Sequence, residues 1–469
     1  MFCMGDIKEM LFVVMPFGKK MNPSGTVEID FDRIYEQAIH PAAVAADLDV
    51  IRADEEQSAG IIHTPMFERL LASELVVADL TIPNPNVYYE LGVRHTARPR
   101  TTILMFAPQG PMPFDINMLR GIPYQLDNGR LTDDEALRLR EILTEKFRLA
   151  VQRQEDVDSP LFQLLDQFPG VVMPPESLTS FRERSRGILA LKERMGRVRR
   201  MNDERHALDE LSAVEKAAGE ITEAESEVVL ELLFSYRDVK AYTKLIELAD
   251  RIPAGPLAES QNVRELKAFA LNRRNQPGDR EQAVAILKGI VRENKHGALT
   301  LGMLGRIYKD YYGEADEKEN RLEAEIESEI YLDEAIKWYR RGFEYDPREF
   351  YPGINLATLL FIKGDEASMT ELPKIAYTVV FAAERRGGLE SEVYWDPATI
   401  LGAAVLAEDW KLAEQAARKM YTMKEPPWKF ETTRADLENV RDTREERELD
   451  NTKLEKIIKI MDLAARRSQ

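Results

Sequence analysis

The chain has few of the side chains that build disulfides and metal sites. Its 469 residues include one cysteine, Cys3, and five histidines. A lone cysteine excludes an internal disulfide and a cysteine-based zinc site, and it fits a reducing cytoplasm. The histidines show no HExxH or comparable ligand spacing, so we expect no metal. We also expect no cofactor.

Long apolar runs are also missing. The run at residues 10–17 follows Asp6 and Glu9 and has no small-residue cleavage site after it, so it predicts a first strand and not a signal peptide. No other stretch approaches the ~18 apolar residues that cross a bilayer. We therefore expect a cytoplasmic protein that does not insert into membranes.

Positive charge is the third deficit. The chain has 64 Lys and Arg against 82 Asp and Glu, a formal net charge of -18. Binding to phosphate backbones needs a concentrated basic surface, so no DNA partner is expected. A hydrophobic fraction of 44% and a charged fraction of 31% are typical of a folded, helix-rich protein, and the length favours two or more domains.

Strand and helix patterns alternate over residues 1–153. Apolar runs of strand length lie near residues 11–15, 48–52, 74–80, 101–107 and 122–126, with helical patterns between them. This alternation predicts an α/β domain, in which helices flank a parallel sheet. A proline-punctuated stretch, 154–180, then reads as a linker or a strap.

Residues 181–469 carry almost no strand signal and predict an all-α domain of tetratricopeptide-like helical repeats. Leu304, Gly305 and Tyr308 have the spacing of the first helix of such a repeat, and Ala335, Tyr339, Gly342 and Pro347 that of the second. About 18 residues separate the two sets beyond the normal repeat length, and the acidic segment 314–329 supplies them. A plain helical bundle is the alternative.

The segment from Asp79 to Gly92 is the best candidate for a functional site. An apolar strand there ends in Asp79, and a turn with two asparagines leads into a helical pattern that contains Glu90. Ligands of doubly wound sheets bind beyond the carboxyl ends of the strands, where we expect Asp79 and the Pro16–Phe17–Gly18 turn to lie. Asn86 either caps a helix that begins at Val87 or contacts a ligand.

Glu90 would lie near the start of that helix, where the helix dipole favours its ionised form. A carboxylate in this position suits a nucleophile or a group that stabilises positive charge on a sugar ring. The competing interpretation is a surface ion pair with Arg94, four residues further on, which is worth a few tenths of a kcal/mol.

Several short motifs in the first half resemble one known fold. They are Met15–Pro16–Phe17–Gly18, Arg52–Ala53–Asp54, Val77–Ala78–Asp79–Leu80–Thr81, Asn84–Pro85–Asn86–Val87–Tyr88–Tyr89–Glu90–Leu91–Gly92 and Pro113–Phe114–Asp115. Over roughly the first 150 residues the chain resembles the nucleoside 2-deoxyribosyltransferase-like fold, a group related to Toll/interleukin-receptor-type (TIR-like) NAD-cleaving domains.

This resemblance implies a site and a chemistry. Glu90 takes the position of the nucleophile that captures the deoxyribosyl group, and Asp79 joins it as a catalytic residue. The substrate-binding residues would be Pro16, Phe17, Gly18, Asp54, Asn84, Asn86, Tyr88 and Asp115. The expected substrate is NAD, a nucleoside or a nucleoside monophosphate.

The second half resembles a different family. The motifs are Gly305–Arg306–Ile307–Tyr308–Lys309–Asp310, 335–344 (AIKWYRRGFE), Tyr351–Pro352–Gly353–Ile354–Asn355–Leu356–Ala357, Tyr394–Trp395–Asp396 and Pro426–Pro427–Trp428. They look like the TRAFs-binding, tetratricopeptide-like region of the apoptosis signal-regulating kinases. This resemblance implies a scaffold that binds a protein partner or self-associates. It does not imply a kinase, since no Gly-rich loop with the expected lysine and catalytic-loop motifs is found.

Two functional hypotheses follow. The first is a signalling or defence protein with an N-glycosidase or deoxyribosyltransferase-like hydrolase head, which cleaves a base–sugar bond through Glu90 and is regulated by the helical scaffold. The second is non-catalytic, a nucleotide-sensing or protein-interaction scaffold.

Overall fold

The computed structural model describes residues 8–52, 63–109, 120–152, 157–171, 175–201, 203–221, 225–315 and 321–467. The chain divides into two compact units. The first comprises Met1–Ala241 and Leu248–Ser260, and the second Tyr242–Glu247 and Gln261–Gln469. The domain limits expected from the sequence, 1–153, 154–180 and 181–469, stay a prediction.

A parallel sheet forms the centre of the first unit. Its strands are β1 (Met10–Val14), β4 (Asp49–Arg52), β5 (Leu75–Asp79), β6 (Thr102–Phe106) and β7 (Ile122–Pro123), in the order β4-β1-β5-β6-β7. All four neighbouring pairs are parallel. A separate antiparallel pair is made by β2 (Lys19–Met21) and β3 (Glu28–Asp30).

Helices cover both faces of this sheet. The helices are α1 (Phe31–Ile34), a π-helical turn (Tyr35–Ile39), α2 (His40–Ala45), α3 (His63–Ala72), α4 (Pro85–Ala97), α5 (Asp133–Val151) and α6 (Pro160–Leu164). Along β1, Leu11 and Val13 belong to one core and Phe12 and Val14 to the other. This alternation buries both faces of each central strand, because successive side chains point to opposite sides. The predicted α/β fold is confirmed.

The strand order creates a crevice at one edge of the sheet. From β1 the chain moves to one side to form β4, and then to the other side to form β5, β6 and β7. The direction therefore reverses between β1 and β5, and the turns that follow these two strands diverge there.

Three further helices complete the first unit: α7 (Pro175–Val198), α8 (Glu204–Ala218) and α9 (Ser226–Asp238). A buried ion pair ties α9 to α3, with Arg69 Nη2 and Glu227 Oε1 separated by 2.9 Å. Arg186 of α7 pairs with Asp49 at 2.8 Å. Burying a charge is costly unless it is paired, so the Arg69–Glu227 contact fixes where α9 attaches to α3, and the partly exposed Arg186–Asp49 pair adds a contact between α7 and β4.

The second unit is helical throughout its described part. Its helices begin within α10 (Tyr242–Arg251) and continue as α11 (Gln261–Arg274), α12 (Asp279–Arg292), α13 (Ala298–Ala315), α14 (Arg321–Tyr345), α15 (Phe350–Lys363), α16 (Glu366–Glu384), α17 (Trp395–Leu406), α18 (Trp410–Thr422), α19 (Pro427–Glu446) and α20 (Thr452–Arg467). From α11 to α18 consecutive helices pack against each other, and the last hairpin is formed by α19 and α20, with α18 packed against α20. The predicted all-helical second half is confirmed. None of the described helices in either unit combines the length and apolar character that crossing a bilayer requires.

Close approach at a glycine pairs α13 with α14. A methyl group at Gly305 would lie 2.6 Å from the ring of Tyr339, which is fully buried. The two sets of repeat-like residues therefore meet in space despite the long insertion between them. Much of the acidic insertion, from Arg321 onward, becomes the start of α14, which has 25 residues against 18 in α13.

We expect Gly305→Ala to destabilise the second unit by about 1–3 kcal/mol, because the added methyl overpacks against a ring that has no room to move. The matched control is Gly313→Ala in the same helix, where a methyl meets nothing within 4 Å. There alanine should be neutral or stabilise the helix by up to about 1 kcal/mol. Urea unfolding followed by circular dichroism measures both. Equal effects of the two substitutions would contradict this packing.

Candidate functional site

Asp79, at the end of β5, is buried in a hydrogen-bonded network. Its Oδ1 accepts from the Thr81 backbone N–H at 2.8 Å, and its Oδ2 accepts from the Tyr124 hydroxyl at 2.8 Å. The Thr81 hydroxyl lies 2.7 Å from the Tyr124 oxygen and accepts from the Ala107 N–H at 2.9 Å. Burial raises the pKa of Asp79 to about 6, although these hydrogen bonds oppose the rise. The network joins the segments that follow β5, β6 and β7.

The helix after this turn is capped by Asn84. Its side-chain oxygen accepts from the backbone N–H groups of Asn86 at 3.0 Å and Val87 at 3.4 Å. Pro85 is the first helical residue, where its missing N–H costs nothing and its fixed φ favours the helix. Asn86 is therefore exposed inside the first turn, and the expectation that it caps the helix is wrong.

Glu90 is half-buried on α4. Burial raises the pKa of its carboxyl group to about 7. Among the described residues this carboxyl has no hydrogen-bond or ion-pair partner. The alternative interpretation, a surface pair between Glu90 and Arg94, is wrong, because the Arg94 side chain is directed elsewhere.

Arg94 is fully buried and binds the chain around it. Its guanidinium donates to oxygens at the C-terminal end of α3, at the residue before β5 and at the residue before β6. They are the carbonyl oxygens of Leu70, Ser73 and Glu74 at 2.8, 2.9 and 3.1 Å, and Thr101 Oγ1 at 2.9 Å. The charge is thus compensated by oxygens arranged around its donor fork. The helix α4 begins near the carboxyl ends of the strands and runs toward their amino ends, where Arg94 lies.

The turn after β1 lies beside the turn after β5. Pro16 is buried, whereas the ring of Phe17 is 51% exposed and carries Lys20 Nζ 5.0 Å above its centre. Gly18 has a φ of 64°, and its N–H donates to Asp32 Oδ1 at 3.1 Å. The fold therefore brings this turn and Asp79 to neighbouring strand ends, as expected from the sequence.

The remaining predicted site residues divide into two groups. Tyr88 is half-buried on α4 and packs at the margin of a sheet-facing core. Asp54 and Asp115 lie outside the described residues. The assignment of all these side chains to a ligand site stays a prediction. Among the described residues, no three His, Cys, Asp or Glu side chains gather as a metal site.

The sequence interpretation missed Tyr124 and the true position of Arg94. Tyr124 directly follows a short strand, so its proximity to Asp79 needed the strand order, which no local pattern supplies. For Arg94 the i,i+4 spacing to Glu90 gave a misleading signal, since that spacing says nothing of burial.

A second surface of interest carries two tryptophans of the helical unit. The rings of Trp395, on α17, and Trp428, on α19, lie 6.2 Å apart and are 39% and 54% exposed. Their neighbours Tyr394 and Phe430 are buried, with ring centres 5.2 Å apart. The Tyr394 hydroxyl donates to the Lys429 carbonyl at 2.9 Å, which holds the two helices in register. We call Trp395 and Trp428 the tryptophan pair.

Comparison with known proteins identifies the family. The MAP3K TRAFs-binding domain family matches residues 87–461, which is most of the chain and includes all but the first two residues of α4 in the first unit. The chain therefore belongs to the MAP3K TRAFs-binding domain family.

Individual relatives are protein kinases of one group. The chain is 26% identical over 394 residues to human mitogen-activated protein kinase kinase kinase 5 and 29% identical over 390 residues to human mitogen-activated protein kinase kinase kinase 6. These matches each cover 78% of this chain but only 27% and 29% of the relatives. Mouse mitogen-activated protein kinase kinase kinase 15 is 37% identical over 226 residues, which is 47% of this chain and 16% of that protein. The chain thus spans less than a third of the length of these relatives.

These findings correct the enzymatic interpretation. The relatives are MAP kinase kinase kinases that share a TRAFs-binding domain, so the prediction of an N-glycosidase or deoxyribosyltransferase-like hydrolase acting on NAD or a nucleotide is wrong. The proposed resemblance of the first half to nucleoside 2-deoxyribosyltransferases and TIR-like domains receives no support. The second hypothesis, a non-catalytic protein-interaction scaffold, fits the family better.

The raised pKa of Glu90 predicts a pH-dependent effect on stability. Between about pH 4.5 and 7 the unfolded chain loses this proton while the folded chain keeps it, so stability falls as the pH rises. Glu90→Gln removes the titration and should be near neutral at about pH 5. At about pH 8 it should stabilise the first unit by on the order of 1 kcal/mol, which allows for solvent screening at a half-buried position.

Glu135→Gln on α5 is the control with the opposite sign. Hydrogen bonds from Arg138 lower the pKa of Glu135, so glutamine there should weaken the unit at about pH 8. Urea unfolding at both pH values measures the two variants. A Glu90→Gln effect that does not change with pH would contradict a raised pKa.

Proposed function

We propose that this chain is a protein-interaction scaffold that binds TRAF-type partner proteins in a cytoplasmic signalling pathway. The family match over residues 87–461 carries the proposal, because it assigns most of the chain to a domain described by its binding of TRAFs. The architecture supports it, since stacked helical hairpins present extended surfaces to partner proteins.

Charge also favours a protein partner. With a formal net charge of -18, the chain has no excess of positive charge for gripping a nucleic acid or an anionic membrane.

Within the helical unit we place the partner contact at the tryptophan pair. Tryptophan is among the residues most enriched at the energetic centres of protein interfaces. Both rings are next to buried aromatic side chains, because Tyr394 immediately precedes Trp395 and contacts its ring, and the buried Phe430 is two residues after Trp428. A preorganised aromatic surface loses little conformational entropy on binding.

A buried carboxylate fixes the backbone next to Trp395. Asp396 Oδ2 accepts from the Ser391 hydroxyl at 2.6 Å, and its Oδ1 lies 3.5 Å from Arg386 Nε. Ser391 in turn accepts from the Val393 N–H at 3.1 Å. Because these contacts hold the start of α17, they also orient the first ring of the tryptophan pair.

The first unit has a supporting role in this proposal. Asp79 accepts hydrogen bonds from Thr81 and Tyr124, and Arg94 donates hydrogen bonds to the carbonyl oxygens around it. Both sets of contacts hold elements of the unit together and leave these polar groups satisfied. The proposal therefore requires no chemistry from them.

The tryptophan pair can be tested by calorimetry with the full chain and a purified TRAF domain. Truncating an interface hot spot typically costs about 2 kcal/mol or more, so Trp395→Ala combined with Trp428→Ala should weaken binding by at least about 30-fold. Tyr377→Ala is the matched control, since this tyrosine of α16 is 57% exposed in the same unit. It should bind like wild type.

The outcomes separate the two parts of the proposal. Full-strength binding by the double variant would move the contact away from the tryptophan pair while keeping the scaffold function. No measurable binding of a TRAF domain by the wild-type chain would contradict the function itself. Light scattering of the same samples shows whether the chain self-associates instead.

A further inference from the structure

The start of α14 carries an exposed apolar stripe. Leu322, Ile326 and Ile330 are 68%, 52% and 54% exposed. Their spacing of four residues places them on one side of the helix, each about 40° around the axis from the previous one. Isolated exposed apolar residues are ordinary, but three on one helical face form a continuous surface. We call these three residues the α14 stripe.

Leu322 and Ile326 of the stripe lie beyond the last described residue of the neighbouring helix α13, and Ile330 lies alongside that helix. Gly305 faces Tyr339, and the stacked rings of Tyr311 and Tyr331 are 5.0 Å apart, so α13 and α14 run antiparallel. Four residues beyond Tyr311, α13 reaches its last described residue, Ala315, which by this register lies opposite residue 327 or so. The preceding six residues of α14 therefore continue about 9 Å beyond it.

Carboxylates border the stripe. Glu325 and Glu329 lie on one side of it and Glu323 on the other, as the helical angle of 100° per residue requires, and all three are exposed. The first ten residues of α14, 321–330, contain four acidic residues and one basic residue. The stripe is thus an apolar surface bordered by negative charge.

We propose that the α14 stripe binds a basic amphipathic helix of a partner protein. The apolar side of such a helix would cover Leu322, Ile326 and Ile330, and its Lys or Arg side chains would pair with the bordering glutamates. Electrostatic complementarity of this kind also raises the association rate and excludes acidic competitors.

The same charge disfavours other occupants. A symmetric contact with a second copy would place these glutamates against their own counterparts, which repel. An anionic lipid surface or a nucleic acid is repelled in the same way. The proposal concerns a surface separate from the tryptophan pair, and it does not depend on TRAF binding.

The test uses two synthetic, fluorescein-labelled amphipathic peptides with the full chain. Both have the same leucine stripe, and one carries lysine and arginine on its polar side where the other carries glutamate. Anisotropy at about 0.15 M salt, where weak long-range attraction is screened, should show saturable binding of the basic peptide alone.

Two variants separate the stripe from its charges. Leu322→Ser, Ile326→Ser and Ile330→Ser together should weaken the basic peptide by at least about tenfold while the charge stays the same. Tyr377→Ser with Phe381→Ser, a pair 57% and 63% exposed on α16, is the matched control and should change nothing. Glu325→Lys with Glu329→Lys keeps the stripe and should reverse the preference between the two peptides.

Several results would overturn the proposal. One is equal binding of the basic peptide by the serine variant and wild type, which would mean unspecific attraction to an acidic protein. Another is an unchanged peptide preference in the lysine variant. This result would contradict the proposal even if the serine variant does not fold. A photo-crosslinker at position 326 that joins two copies of the chain would show that a second copy occupies the stripe. The variant with both Trp395→Ala and Trp428→Ala should still bind the basic peptide. Peptide binding at the α14 stripe and TRAF binding at the tryptophan pair can therefore fail independently of each other.

Discussion

The first unit depends on one buried charge, the guanidinium of Arg94. It is fully buried, and it donates to oxygens from the end of α3 and from the residues before β5 and β6. A buried cation without such partners would be prohibitive, so these segments must close around it. Since α4 is anchored here at the amino edge of the sheet, its first turns project toward the carboxyl edge. The positions of Asn84 and Glu90 follow from that anchor.

An equivalent constraint in the second unit is steric. Gly305 allows the ring of Tyr339 to approach the backbone of α13, and any side chain at residue 305 would occupy the same space. Close packing of this kind fixes the register of the α13–α14 hairpin, because protein interiors tolerate little excess volume. The register in turn decides which part of α14 lies beyond Ala315, the last described residue of α13, and so where Leu322 and Ile326 of the α14 stripe lie.

The two carboxyl groups of Asp79 and Glu90 show that a raised pKa has more than one possible meaning. Asp79 and Glu90 both have raised pKa values, to about 6 and about 7, and such shifts are common at catalytic sites. In both cases burial is the leading cause of the raised pKa. The oxygens of Asp79 also accept hydrogen bonds from Thr81 and Tyr124, which connect the segments after β5 and β7. A perturbed pKa alone therefore does not identify an enzyme. Membership of the MAP3K TRAFs-binding domain family instead supports the proposal that the chain is a protein-interaction scaffold.

The sequence by itself determined the elements. Periodicity of apolar residues predicted the parallel strands and the all-helical second half, and the repeat-like spacing indicated two helices of one repeat on either side of an insertion. The sequence also contains the short motifs that resemble the TRAFs-binding region. These features are local or periodic, so they can be read without coordinates. The cap position was wrong by two residues, because Pro85 can occupy the first helical turn.

Only the tertiary structure decided which polar groups meet. Tyr124 reaches Asp79 across 45 positions, and Arg94 turns away from Glu90 toward oxygens 7 to 24 positions away. Exposure was equally hidden, since Tyr394 and Trp395 are adjacent, yet one is 1% and the other 39% exposed. Strand order, helix register and burial arise from contacts between distant segments, and a sequence pattern specifies the face of an element but not what packs against it.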